Sequence, residues 1–164
     1  MTRIGLLSDT HSFLDSKVFQ YFETCDEVWH AGDIGSMEIL DQLQRFRKGH
    51  MVYGNIDDHR IRRELKEVDY FELEGHRILL IHIAGPFGKY TPQVRSLIEE
   101  YQPSILVCGH SHILKVAFDQ KHQLLYLNPG ACGKSGFHKV RTLIRFAVDG
   151  KQILDMEVIE LHDA

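Results

Sequence analysis

Short apolar runs alternate with amphipathic stretches through the first half of this chain. The run Ile4-Gly5-Leu6-Leu7-Ser8 predicts a buried strand that stops on Asp9-Thr10-His11. Ser16 to about Phe22 then reads as a short helix, with Asp15 or Ser16 as its cap. A second strand, Glu27-Val28-Trp29-His30, runs into Ala31-Gly32-Asp33-Ile34-Gly35. Behind Ser36, the residues Ile39, Leu40, Leu43 and Phe46 recur at helical spacing. His50-Met51-Val52-Tyr53 is a third strand, closed by Gly54-Asn55-Ile56-Asp57. This order of strands and helices predicts parallel strands joined by crossover helices. In such sheets the functional residues collect at the carboxyl ends of the strands.

Asp57 to Glu67 is polar and reads as a short helix or loop. Tyr70–Leu73 and Arg77–Ile81 predict a hairpin about Glu74-Gly75, and its second strand ends on His82. Thr91 caps a helix that has Pro92 at its first position and runs to about Tyr101. The apolar run Ile105-Leu106-Val107-Cys108, bounded by Pro103 and Gly109, leads into Gly109-His110-Ser111-His112. Two histidines two apart in extended backbone would point to one face and could ligate one metal or a close pair. From Leu114 the pattern becomes strands joined by turns, at Lys115–Phe118, Leu124–Leu127, Arg141–Phe146 and Ile153–Val158. The Asp149-Gly150 turn adds to the expectation of an antiparallel final third. With no linker, repeat or low-complexity segment, residues 1–164 are expected to form one domain.

Composition narrows the class. The 164 residues are 43% hydrophobic and 26% charged, the balance of a soluble globular protein with a sizeable core. A net charge of -4 gives no sign of a nucleic-acid or membrane surface. Cys25, Cys108 and Cys132 are odd in number and widely spaced, which argues against a disulfide framework. With no signal-like start and no membrane-length apolar run, the expected location is the cytoplasm.

The strand ends carry the chemistry. Asp9, His11, Asp33, Asn55, His82, His110 and His112 all follow predicted strands. Singly, each has an ordinary explanation as a cap, a turn residue or a core histidine. Together they contain only ligand types and neither Lys nor Arg, which points to a metal centre. Imidazole with carboxylate suits zinc, manganese, iron or nickel, and the absence of cysteine argues against a thiolate site. Seven donors exceed the needs of one ion and suit two ions sharing a carboxylate, typically about 3.5–4 Å apart. Asp9 and Asp33 offset only half the charge of two divalent ions, leaving a centre that attracts phosphate and acidifies water. Glycines at 32, 35, 54, 85 and 109 are expected to permit tight turns and leave room for a substrate.

Asp9-x-His11, Gly32-Asp33, Gly54-Asn55-x-Asp57, His82, Gly109-His110-x-His112 and Asn128-Pro129-Gly130 appear in an order that resembles the calcineurin-like metallophosphoesterases. The likeness is greatest to the small single-domain phosphodiesterases of bacteria and archaea. It implies an α/β fold, a two-sheet sandwich with helices outside in four α-β-β-α layers. It further implies that Asp9, His11 and His112 bind one ion, that Asn55, His82 and His110 bind the other, and that Asp33 bridges them. Manganese is the expected ion, with zinc, iron or nickel as alternatives. The implied activity is in-line attack of a bridging hydroxide on a phosphodiester, with Asn55 and His110 as catalytic residues and Asn55 also touching the phosphate.

The chain departs from the family pattern in two places. Ile56 stands where many relatives carry a histidine that protonates the leaving group, which favours diesters with good leaving groups. His59 is a weak substitute, better read as a surface residue. Ile83-Ala84 intervene between His82 and Gly85, where a glycine usually follows the histidine at once. His30 could orient the site or merely pack. Arg60, Arg62, Arg63 and Lys66 read as a solvated face, whereas Gly133 to His138 is the better candidate for substrate contact. The expected partner is a small-molecule phosphodiester or nucleotide, without stable nucleic-acid or membrane binding, and a homo-oligomer is possible. The alternatives are a phosphomonoesterase or nucleotidase on the same site, or a non-catalytic interaction module like the retromer subunit of this fold.

Overall fold

The computed structural model describes residues 1–162. In chain order the elements are β1 (Thr2–Leu7), α1 (Lys17–Tyr21), β2 (Glu27–His30), α2 (Met37–Phe46), β3 (Gly49–Met51), α3 (His59–Glu64) and β4 (Val68–Leu73). They continue with β5 (His76–Ile81), α4 (Pro92–Tyr101), β6 (Ile105–Val107), β7 (Lys115–Asp119), β8 (Leu124–Asn128), β9 (Arg141–Asp149) and β10 (Gln152–Leu161).

Local sequence explains the helix starts. Ser36 Oγ accepts from the Ile39 amide at 3.4 Å, and Thr91 Oγ1 accepts from Val94 at 3.1 Å, ahead of Pro92. Before α1 it is Asp15, not Ser16, whose side chain accepts a backbone N–H, that of Lys17 at 2.9 Å. Asp58 caps α3, the short helix expected in the polar stretch.

The strands form two five-stranded sheets, ordered β10-β9-β1-β2-β3 and β4-β5-β6-β8-β7. Pairs β1·β2 and β2·β3 are parallel, as the crossover pattern predicts. The final third is antiparallel in its own pairs, β7·β8 and β9·β10, and in β9·β1. Contrary to expectation, β8 lies parallel to β6. The hairpin β7·β8 joins the second sheet through β8, and the alternation within a strand does not encode which neighbour it will choose.

Period-two alternation sorts the apolar residues into separate layers. Ile4 and Leu6 of β1, Ile78 and Leu80 of β5, and Ile144 and Phe146 of β9 meet between the sheets around Trp29. Leu7, Val28 and Leu143 face the other way, onto α1 and α2 through Val18, Leu40 and Leu43. Leu79, Ile81 and Leu106 face α4 through Val94 and Ile98. The result is a four-layer α-β-β-α sandwich, an α/β fold with helices on both outer faces. Strands β1, β2, β5 and β6 deliver their carboxyl ends to one rim. Among the described residues no helix is long and apolar enough to cross a membrane.

Candidate metal centre

Backbone hydrogen bonds tie the loops of this rim together. The Asp9 amide donates to Gly32 O at 2.9 Å, His11 to Asp33 O at 3.0 Å, and Gly109 to His82 O at 3.0 Å. Asp57 is buried and its carboxylate accepts from the amides of Ile34 (3.2 Å), Gly35 (2.8 Å) and Gly54 (2.8 Å), joining the loops after β2 and β3. Asn128, fully buried, donates to Gly109 O and Ser111 Oγ, both at 3.1 Å, which braces the loop after β6. Motif membership flagged Asp57 and Asn128 without giving either a role; both act across long sequence separations, where a local pattern has no signal.

Five of the seven predicted donors sit in left-handed backbone: Asp9 (φ 55°), His11 (46°), Asp33 (59°), His110 (73°) and His112 (62°). Each such non-glycine residue costs about 1–3 kcal/mol and persists where the surroundings fix it. His110 and His112 are therefore not on one extended face, and they part to different partners. Glycine serves the donors more than a substrate: a Cβ on Gly54 would lie 2.1 Å from Asp33 Oδ1, and one on Gly109 would lie 2.1 Å from Ser8 Oγ and 2.7 Å from Asp9 Oδ2.

Two donor groups result, each with its ligand-type atoms within 4.8 Å of one another: Asp9, His11 and His112, and Asp33, His82 and His110. Asp33 Oδ2 joins them, 3.3 Å from His11 Nε2 and 3.1 Å from His82 Nε2. His112 Nε2 stands 3.2 Å from Asp9 Oδ1. Asn55 Oδ1 completes the second group, 3.0 Å from His82 Nε2 and 3.1 Å from His110 Nδ1.

These atoms are short of donors. Asp9 Oδ1 and His11 Nε2 are buried without a hydrogen-bond partner. His82 Nδ1 lies 2.7 Å from Ala31 O, which can only accept, so that nitrogen carries the ring's proton and Nε2 presents a lone pair inward. Carboxylate, amide-oxygen and imidazole lone pairs thus converge on a space that a cation satisfies, and the residues fit a pair of divalent ions.

The sequence profile of the calcineurin-like phosphoesterase superfamily domain matches residues 2–151. The chain belongs to that superfamily. A probable metallophosphoesterase of Methanothermobacter thermautotrophicus is 32% identical to this calcineurin-like chain over 162 residues, covering 95% of the chain and 91% of the relative. Another, of Methanocaldococcus jannaschii, is 34% identical over 135 residues, 78% and 67% of the two chains. Among solved structures, zinc-complexed Vps29 of Entamoeba histolytica superposes with a TM-score of 0.72 at 18% identity, covering 96% of this chain and 98% of that one. A structure described as a novel archaeal phosphodiesterase gives 0.74 at 21% identity, covering 97% and 99%. At these identities the superpositions establish the fold.

Within this calcineurin-like domain the charges are held by opposing effects. Burial pushes the Asp9 carboxyl up, but His11, His112, the charge of His82 and the Ser8 hydroxyl (2.6 Å) outweigh it and hold the acid well below the usual range. Burial likewise works against Asp33 and is outweighed by His82 and by the Ile56 amide at 3.0 Å, so its pKa is lowered. The Asp9 carboxylate, 3.6 Å from His11 Nε2, raises the His11 pKa. Burial lowers His82, but Asp33 and Asp9 overcome it and raise the pKa. His110 is lowered by burial and by the neighbouring charge of His82.

His30 is a loop fastener. It is fully buried, Nδ1 accepts from the Gly32 amide at 3.0 Å, and Nε2 lies 3.1 Å from Thr10 Oγ1, which itself donates to Ile34 O. Burial drives its pKa down to about 3. Cys25, Cys108 and Cys132 are buried free thiols, pushed up by burial to about 11, about 12 and about 12. Arg62 is not part of a merely solvated face: its guanidinium donates to Asp57 O at 2.7 Å and Asn55 O at 3.2 Å. In the Gly133–His138 loop, His138 Nε2 reaches Gly133 O at 2.7 Å and its ring meets that of His112 edge-on at 5.2 Å. His59 is exposed at the start of α3.

Proposed function

We propose that the chain is a divalent-metal phosphodiesterase whose seven donors hold two ions, manganese being the natural first choice. The observation that carries this reading is the shared Asp33 carboxylate, set between His11 and His82 and flanked by buried lone pairs without donors. Asp9, His11 and His112 would hold one ion, Asn55, His82 and His110 the other, and Asp33 both. When bound, the ions supply Lewis-acid neutralisation of phosphate charge and an acidified water.

The remaining work belongs to the chain. His110 and Asn55 lie on the open side of the second group and orient the phosphate; the loop bonds through Asp57 and Asn128 keep them there. In hydrolysis the water oxygen bonds to phosphorus, the P–O bond to one ester substituent breaks, and a monoester and an alcohol are released. Ile56 is 46% exposed and its side chain carries no proton to give. The departing oxygen must then take its proton from water, which favours aryl and other good leaving groups over alkyl ones.

Purified protein is expected to hydrolyse bis(4-nitrophenyl) phosphate with added manganese, to stop on chelation, and to prefer that diester over 4-nitrophenyl phosphate. A monoester turned over faster would favour a phosphomonoesterase or nucleotidase. The likeness to Vps29 favours a further reading, an interaction module without turnover. Metal bound in stoichiometric amount with no hydrolysis of any ester would establish it over ours.

A further inference from the structure

Two cavities flank the second donor group, and Ile83 lines both of them. One, of about 400 Å³, touches Asn55 and His82 and is walled by Arg62 and Gln93. The other, of about 360 Å³, touches Gly109 and His110 and is walled by Phe87, Ile113 and Tyr126. The His82 and His110 rings, one at each cavity, stand edge-to-face at 5.2 Å. A phosphate held at this group therefore has one substituent-sized space on either side, and Ile83 is the ridge between them.

The two spaces differ in chemistry. The first mixes the charged and polar groups of Arg62, Glu67 and Gln93 with the apolar walls of Tyr53, Ile81 and Pro92. In the second, the Phe87 and Tyr126 rings meet edge-on at 5.5 Å, and Ile113 is 67% exposed beside them. The Lys115 ammonium lies 5.3 Å from the Phe87 ring. A pocket of this size with apolar walls and one charged residue suits a flat aromatic group. The loop variation Ile83-Ala84 gives the ridge its side chain.

We infer that the Phe87–Tyr126–Ile113 cavity receives an aromatic ester substituent of the substrate, an aryl or nucleobase group, while the Arg62–Gln93 cavity takes the second substituent. Phe87 and Ile113 are then specificity-determining residues. The inference rests on the phosphodiesterase reading and deepens it.

Calorimetric titration of metal-loaded protein with phenylphosphonate and methylphosphonate tests it. Burial of a phenyl ring predicts at least about tenfold tighter binding of the phenyl compound. Phe87→Ala should erase most of that preference and leave methylphosphonate binding within about twofold. Ile113→Ser, at an exposed position that does not carry the fold, should reduce it in the same direction. A second measurement needs neither metal nor turnover: phenol added to metal-free protein should shift the amide resonances of Phe87 and Ile113. Equal binding of the two phosphonates by the unaltered protein, with no shift at either residue, would overturn the inference. Hydrolysis of no ester, with the phenyl preference and the shifts intact, would instead sink the phosphodiesterase reading and leave the aromatic pocket standing.

Discussion

The two donor groups are built differently. Asp9, His11 and His112 form the inner one: Asp9 is fully buried, and its carboxylate also accepts from Ser8 and from the His110 amide at 3.1 Å. Asp33, His82 and His110 form the outer one, where His110 is exposed, Asn55 adds an amide oxygen, and both cavities open. On the proposed function, the inner group would keep a cation and the outer group would share one with a ligand. Proteins that place a reactive ion beside a resident one gain by making the two sites unequal, because only one needs access.

The largest expected effect removes the distinction. Asp33→Ala takes away the carboxylate common to both groups, so both ions should be lost together and phosphodiester hydrolysis should fall by at least about 10³-fold. Metal analysis and rates on one preparation check this. Normal turnover in that variant would refute the ligand assignment.

Next come the paired variants. His112→Ala strikes the inner group and leaves buried Asp9 with one imidazole fewer, so it should lower the unfolding free energy of metal-free protein by about 1–3 kcal/mol as well as costing an ion. His110→Ala, at an exposed position, should cost the outer ion with a stability change under about 1 kcal/mol. Equal destabilisation would mean that the groups are not unequal after all.

Acid should empty the centre. Metal ligation requires neutral imidazole, and His11 and His82 have pKa values raised above 6.5, so occupancy should fall as pH drops through those raised values, with protons released on loading. In metal-free protein the same two histidines stabilise the fold below 6.5, and that contribution disappears as pH rises through their folded values. His30 has the opposite sign: lowered to about 3, it contributes stability above 6.5 that is lost as pH falls towards 3. Proton release on titration with manganese, and denaturation midpoints across pH, separate these terms.

The smallest effect on the metal centre is expected from Asp57→Asn. It keeps one acceptor of two for the amides of Ile34, Gly35 and Gly54, and should cost about 1–2 kcal/mol. Activity should fall by only a few-fold through the Asn55 loop, sparing the inner ion.

Much of this was legible in the sequence. Alternating apolar runs gave the parallel β1-β2-β3 core and the caps of α2 and α4, because those signals are local. Donor types at strand ends gave the seven residues that the fold assembles at one rim. The parallel seat of β8 beside β6 was not legible, since partner choice is a property of the sheet. The family resemblance already sent His110 and His112 to different ions, but their left-handed backbone was not legible, because at a non-glycine residue it is imposed by its surroundings. His30, Asp57 and Asn128 showed their roles only once loops distant in sequence had met.

The sorting of β1 into two layers has a consequence for assembly. A slip of one position against β2 would turn Ile4 and Leu6 outwards and Leu7 inwards, and would also carry Asp9 away from the rim. Misaligned chains therefore forfeit packing and cation capture in the same event. The interior of the strand proofreads the chemistry at its tip.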